Sequence, residues 1–119
     1  MGARSNFDNE LEQLNVELIK MGALVEEAIK NSIAAFKNQD PEGAKAVIQD
    51  DRAVDDIEKT IESRCLSLLL RQQPVARDLR AISTALKMIT DMERIGDNAA
   101  DIAELSLRIT GEHIYTMVE

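Results

Sequence analysis

Asp51 and Asp55, and then Glu93, Asp97 and Asp101, are carboxylates that recur at every fourth residue in stretches otherwise suited to a protein interior. On a helix, residues i and i+4 stand one turn apart on one face, so Asp51/Asp55, Glu93/Asp97 and Asp97/Asp101 each present two carboxylates together. Carboxylate oxygens are hard anionic donors. A set of them suits magnesium, calcium, manganese or iron, and zinc accepts them as well.

The helical phase of these acids decides whether they belong to a wet face or to a packed one. At about 100° per residue from Glu93, the residues Ile82, Leu86, Ile89 and Ala100 fall within about 40°, as do Asp97 and Glu104. Asp101 lies about 80° away, at the stripe's edge, and Asp91 points to the far side. The implied seam runs Ile82, Leu86, Ile89, Glu93, Gly96, Ala100, Ala103, Leu107. An earlier segment repeats the device: Ala44, Ile48, Asp51, Asp55, Glu58, Glu62, Leu66, Leu69, apolar at both ends and acidic in the middle. A hairpin turning near Gln73 sets Asp55 level with residues 91–93 and Asp51 level with residues 95–97, so the two acidic patches meet. An isolated carboxylate in an apolar medium is prohibitively costly, so such a set must be solvated, protonated or paired with cations. Lys59 and Arg94 flank the patches, but two cations cannot neutralise Asp51, Asp55, Glu58, Glu93, Asp97 and Asp101 together. A multivalent metal ion can, with Glu58 as a further ligand. Two readings need no metal: a solvated acidic face, and the open side of a three-helix sheet covered by something else. Gly96, Ala99, Ala100 and Ala103 beside the acids would let a helix or ligand approach under either.

Three long helices are predicted to carry these residues. The first spans about 5–38, on a stripe of Phe7, Leu11, Leu14, Leu18, Met21, Val25 and Ala28; Ile29, Ile33 and Phe36 widen it towards the end. Glu10, Glu12, Glu17, Lys20 and Lys30 are expected on its solvated side. NQDPEGA, residues 38–44, breaks the chain, with Asp40 suited to cap and Pro41 to the first turn of a helix over 41–71. QQPVARD, residues 72–78, is a second break, with Pro74 and Asp78 at the start of a helix over 75–110 that Gly111 would end. Short connections make neighbours antiparallel, so the expected fold is an all-α, antiparallel three-helix bundle in one domain.

Composition narrows the classes further. Of 119 residues, 14 are Lys or Arg and 22 are Asp or Glu, a net charge of −8 that argues against nucleic acid and favours cations or basic partners. The run CLSLLL, residues 65–70, is far too short to span a membrane and the N-terminus lacks a signal-like apolar stretch, so a cytoplasmic protein is expected. The lone Cys65 lies in that run and reads as a buried, reduced thiol. No glycine-rich phosphate loop, Cys/His cluster or strand alternation is present, which leaves no nucleotide fold, zinc finger or nucleophile elbow to consider.

FDNELEQLNVELIKMG (7–22), VIQDDRAVDDIEKTIE (47–62), LLLRQQPVARDLRAI (68–82) and LKMITDMERIGDNAADIAE (86–104) together resemble the PhoU family over nearly the whole chain. The pairing of QQPVARDLR with DMERIGD is specific. The resemblance implies an all-α protein of tandem three-helix repeats whose E/D-x-x-x-D motifs bind metal clusters; Asp51/Asp55 and Glu93/Asp97 fit that motif and Asp101 extends the second. It further implies a non-enzymatic, cytoplasmic negative regulator of the phosphate-starvation response, connecting the ATPase of a phosphate ABC transporter at the membrane with a sensor histidine kinase. Family members usually have about twice this length, and a lone repeat is expected to pair with a second copy as a homodimer. A carboxylate-bridged metal enzyme is the weaker reading, because such sites use Glu-x-x-His and neither seam holds a histidine. His113, beyond the expected last helix, reads as an incidental tail residue. Arg77 and Arg80 at the hairpin end read as solvated.

Overall fold

The computed structural model describes the backbone of residues 2–71 and 74–118 and the side chains of residues 6–70 and 74–109. It consists of three helices, α1 (Gly2–Asn38), α2 (Pro41–Arg71) and α3 (Ala76–Val118), all in mutual contact. They form a rod 72 × 17 × 16 Å. The expected all-α three-helix bundle is the observed one.

The breaks form as their residues dictate. Gln39 closes α1 in the left-handed conformation (φ 50°), and the Asp40 amide then donates to the Ala35 carbonyl at 2.9 Å, satisfying one of the carbonyls a helix end leaves bare. Asp40 next caps α2, its Oδ1 accepting from the Gly43 amide at 3.1 Å. A Cβ on Gly43 would come within 2.6 Å of Asp40 Oδ2, so a side chain there would make the capping carboxylate shift. At the start of α3 the buried Asp78 reaches back to accept from the Val75 amide at 3.1 Å. The turn expected near Gln73 lies outside the described residues. The stop expected at Gly111 does not occur: α3 runs on to Val118. One glycine inside a helix costs only about 1 kcal/mol relative to alanine, and no proline follows it.

Along α1 the predicted stripe is the buried one up to Ile29, with Phe7, Leu14, Met21 and Val25 in the core and Leu11, Leu18 and Ile29 packed against it. Ile33 and Phe36, expected to widen it, are 48% and 45% exposed, and the small residues Ser32 and Ala35 face inward in their place. The α2 and α3 seams lie one step round from the expected lines. Residues 44, 47, 51, 54, 58, 61, 65 and 68 form the inward line of α2, with Ala44, Val47, Val54, Ile61, Cys65 and Leu68 all buried. Residues 82, 85, 89, 92, 96, 99, 103 and 106 form that of α3. Both alternate three and four throughout, as an antiparallel helix pair requires. Leu66 and Leu69, placed on the seam by sequence, are 49% and 37% exposed, and Glu62 is exposed with them.

Glu17, expected in solvent, lies between α1 and α2 instead. It is only 9% exposed. Arg64 of α2 grips it with both arms of the guanidinium, Nε donating to Oε1 at 2.7 Å and Nη2 to Oε2 at 3.1 Å, while Nη1 lies 3.8 Å from Glu10. The fork geometry of arginine matches a carboxylate and makes this pair tolerable at the helix interface.

Candidate metal centre

The shift of the α2 seam leaves Asp51 and Glu58 on the inward line and moves Asp55 and Glu62 off it. Asp51 and Glu58 occupy the inward line itself, between Val47 and Val54 and between Val54 and Ile61. Asp55 stands beside that line, on the flank facing α3, and is half-buried. On α3, Glu93 adjoins Met92 on the inward line and is half-buried, whereas Asp101 is exposed. Gly96 brings the two helices close where these acids face one another: a Cβ there would lie 3.2 Å from Val54 Cγ1 and 3.5 Å from Asp51 Oδ1. The hairpin thus sets Asp51 against residues 96–97, as the spacing from the turn predicts.

Three carboxylates converge. Asp51, Asp55 and Asp97 each offer an oxygen such that all three lie within 4.8 Å of one another. Asp51 Oδ1 is buried and has no hydrogen-bond partner, an unusual and costly condition for a carboxylate oxygen. Burial pushes the Asp51 carboxyl above its ordinary range, helped by the charges of Asp55 and Asp97, by its hydrogen bond with Asp97 and by the charge of Asp101. Glu93 lies outside the trio but is tied to it: desolvation, a hydrogen bond with Asp97 and the neighbouring Glu58 raise its carboxyl to about 7. Glu58, Glu93, Asp97 and Asp51 therefore form a chain of facing carboxyl groups across the α2/α3 interface. Asp101 contributes charge at the edge rather than an oxygen to the trio.

Lys59 and Arg94 are both exposed, and among the described residues neither forms an ion pair with these acids. The side chain of His113 lies outside the described residues.

A model of the PhoU domain matches residues 18–106, which include both acidic patches and the hairpin between them. The chain belongs to the PhoU family. It is 41% identical over 117 residues, 98% of this chain, to a protein of Clostridium acetobutylicum named phosphate-specific transport system accessory protein PhoU homolog, of which it covers 53%. It is 38% identical over 101 residues, 85% of this chain, to phosphate-specific transport system accessory protein PhoU of Escherichia coli, of which it covers 42%. The crystal structure of PhoU from Pseudomonas aeruginosa superposes with a TM-score of 0.87 at 35% identity, over 89% of this chain and 51% of that one. The chain thus spans about half the length of the PhoU proteins it matches, and it constitutes a single three-helix PhoU repeat.

Proposed function

We propose that this PhoU repeat is a metal-binding, non-catalytic regulator of phosphate uptake, holding its ion between α2 and α3. One observation carries the metal reading: Asp51 places a buried, unpartnered oxygen where Asp55 and Asp97 also converge, and no described cation reaches the set. Three like charges so arranged repel one another, and the buried oxygen of Asp51 is cut off from water as well; a hard divalent or trivalent cation removes both penalties. Asp51, Asp55 and Asp97 would supply the ligand oxygens. Glu93, poised near neutrality by burial and then by Asp97 and Glu58, would complete the charge as it loses its proton, and Asp101 would add negative potential at the rim. Oxygen ligands accept iron, manganese, magnesium and zinc alike.

The regulatory half of the reading comes from the relatives, which are named for the phosphate-specific transport system. By that kinship the chain acts in the cytoplasm as an accessory of a phosphate ABC transporter and restrains the starvation response through a sensor histidine kinase. Among the described residues no helix is long and apolar enough to cross a membrane, which suits peripheral attachment to such a complex. A second copy supplying the other repeat, as a homodimer, fits a chain that covers about half of its relatives.

Elemental analysis of the purified protein after reconstitution with Fe, Mn, Mg and Zn and exhaustive dialysis tests the metal reading. Stoichiometric metal in the parent and its loss in the Glu93→Gln/Asp97→Asn variant are expected. A parent that emerges metal-free from every repletion overturns it in favour of a solvated acidic face.

A further inference from the structure

The flank of α2 turned away from the acids forms a second feature, one the metal does not use. Between α1 and α2 lie two hollows of about 500 and 240 Å³ that share Leu24 and Ala53 and so run into one another. Their lining extends on α1 from Gln13 to Asn31, a length of about 27 Å at the helical rise. Val16, Leu24, Ile57 and Ala53 give the trough an apolar floor, and Val16 stands 52% exposed. Ala28 and Ala53 hold no bulk above the helix axes, which permits close approach of another chain.

Both walls are helices whose backbone groups are already bonded internally, so the trough offers no edge on which an extended peptide could pair. An occupant must satisfy its own backbone, and a helix does. The rim chooses its charge. Glu27, Asp50 and Asp56 line the trough, and among the described residues none of them has an ion-pair partner; Lys20 is the single cation in the lining. A second copy docked trough to trough would set Glu27, Asp50 and Asp56 against their own counterparts, like charge to like. We propose that the α1/α2 trough docks an amphipathic helix of a partner protein, apolar on one face and flanked by lysine or arginine, about five turns long. This goes beyond the metal reading and stands without it, since the trough and the carboxylate trio occupy different flanks of α2.

The test uses the full chain in EDTA, so that no metal competes, and a fluorescein-labelled peptide helix of about 18 residues with leucines at three- and four-residue spacing and lysines on either side. Anisotropy should show saturable binding, weakened at least about tenfold by Glu27→Lys/Asp50→Lys and, through blockage of the floor, by Ala53→Trp. Val16→Arg, at an exposed position, should weaken it as well and guards against misfolding of the tryptophan variant. The matched reversal of exposed acids elsewhere, Glu12→Lys/Asp91→Lys, should change affinity by no more than about twofold. A glutamate-flanked version of the peptide should fail to bind. Absence of binding, equal loss in the matched control, or indifference to both Ala53→Trp and Val16→Arg overturns the proposal. So does a self-associated chain that falls apart on Ala53→Trp, which would assign the trough to a second copy.

Discussion

Replacing Asp51 with asparagine should have opposite effects on stability with and without metal. Oxygens of Asp55 and Asp97 lie within 4.8 Å of one of Asp51. Two unit charges at that separation repel by about 0.9 kcal/mol in water and by about 3.5 kcal/mol at an effective dielectric constant of 20. The trio is only half-sheltered, so about 1 kcal/mol per pair, and about 2 kcal/mol for the two together, is a reasonable scale. Asparagine removes that repulsion, and its amide can donate to a neighbouring carboxylate. In EDTA at neutral pH, Asp51→Asn should therefore melt above the parent, by roughly 8 °C at about 4 °C per kcal/mol for a domain of this size. With free cation at a hundred times the dissociation constant, the parent gains about 2.7 kcal/mol, and the variant, short of one ligand, gains little. The order of the two melting curves should invert. Their pH dependence has a definite sign as well. Asp51 and Glu93 are both raised above their ordinary values, Glu93 to about 7, so between the usual carboxylate range and neutrality the folded state holds protons that the unfolded chain has released. Stability of the metal-free parent must then fall as pH rises through that window, and the gap between parent and variant must close as pH is lowered out of it. Circular-dichroism melts across pH, with EDTA or with Mn²⁺ or Mg²⁺, read both effects. A variant no more stable than the parent in EDTA, or a cation that raises both equally, would refute the reasoning.

The Arg64–Glu17 pair yields a stability prediction: Arg64→Met alone should cost about 2–4 kcal/mol by stranding a sheltered carboxylate, whereas Arg64→Met combined with Glu17→Leu should recover most of the loss in urea titrations. Gly43→Ala, whose Cβ would meet Asp40 Oδ2 at 2.6 Å, should lose about 1 kcal/mol from the α2 cap and regain about as much from alanine's helix propensity, leaving stability nearly unchanged. Added to Asp40→Ala, where no cap remains to lose, it should stabilise by about 1 kcal/mol in urea titrations.

The fold was legible because its signals agree: a three-four stripe on α1, proline and aspartate at both helix starts, and breaks too short for anything but antiparallel neighbours. The acidic patches and their meeting across the hairpin were legible too, since distance from a turn fixes which residues lie level. The exact line of each seam was not. A helix in a bundle has two neighbours, and on α2 the apolar residues Ile48, Leu66 and Leu69 offered a line one step round from the true one, which only packing against α1 decides. The same step hid Glu17: it borders the stripe of Leu14, Leu18 and Met21, and nothing local reveals that Arg64, 47 residues away, arrives to meet it. The α1/α2 trough was equally hidden, because it is defined by where two helices fail to fill the space between them.

The carboxylates also act as a ruler for the α2/α3 hairpin. Helices with a regular three-four repeat can slide past one another by a heptad and repack almost as well, which is a standing hazard for long bundles. Here Glu93 meets Glu58, and Asp97 meets Asp51. A slip of seven residues one way would carry Glu93 to the level of the buried Cys65, and the other way would carry Asp97 to that of Ala44, setting a charge among apolar side chains in either case. The acids that make the middle of the rod electrostatically uneasy thereby penalise a slip of one heptad in either direction, and a cation that bridges them would lock the correct alignment after it has been found.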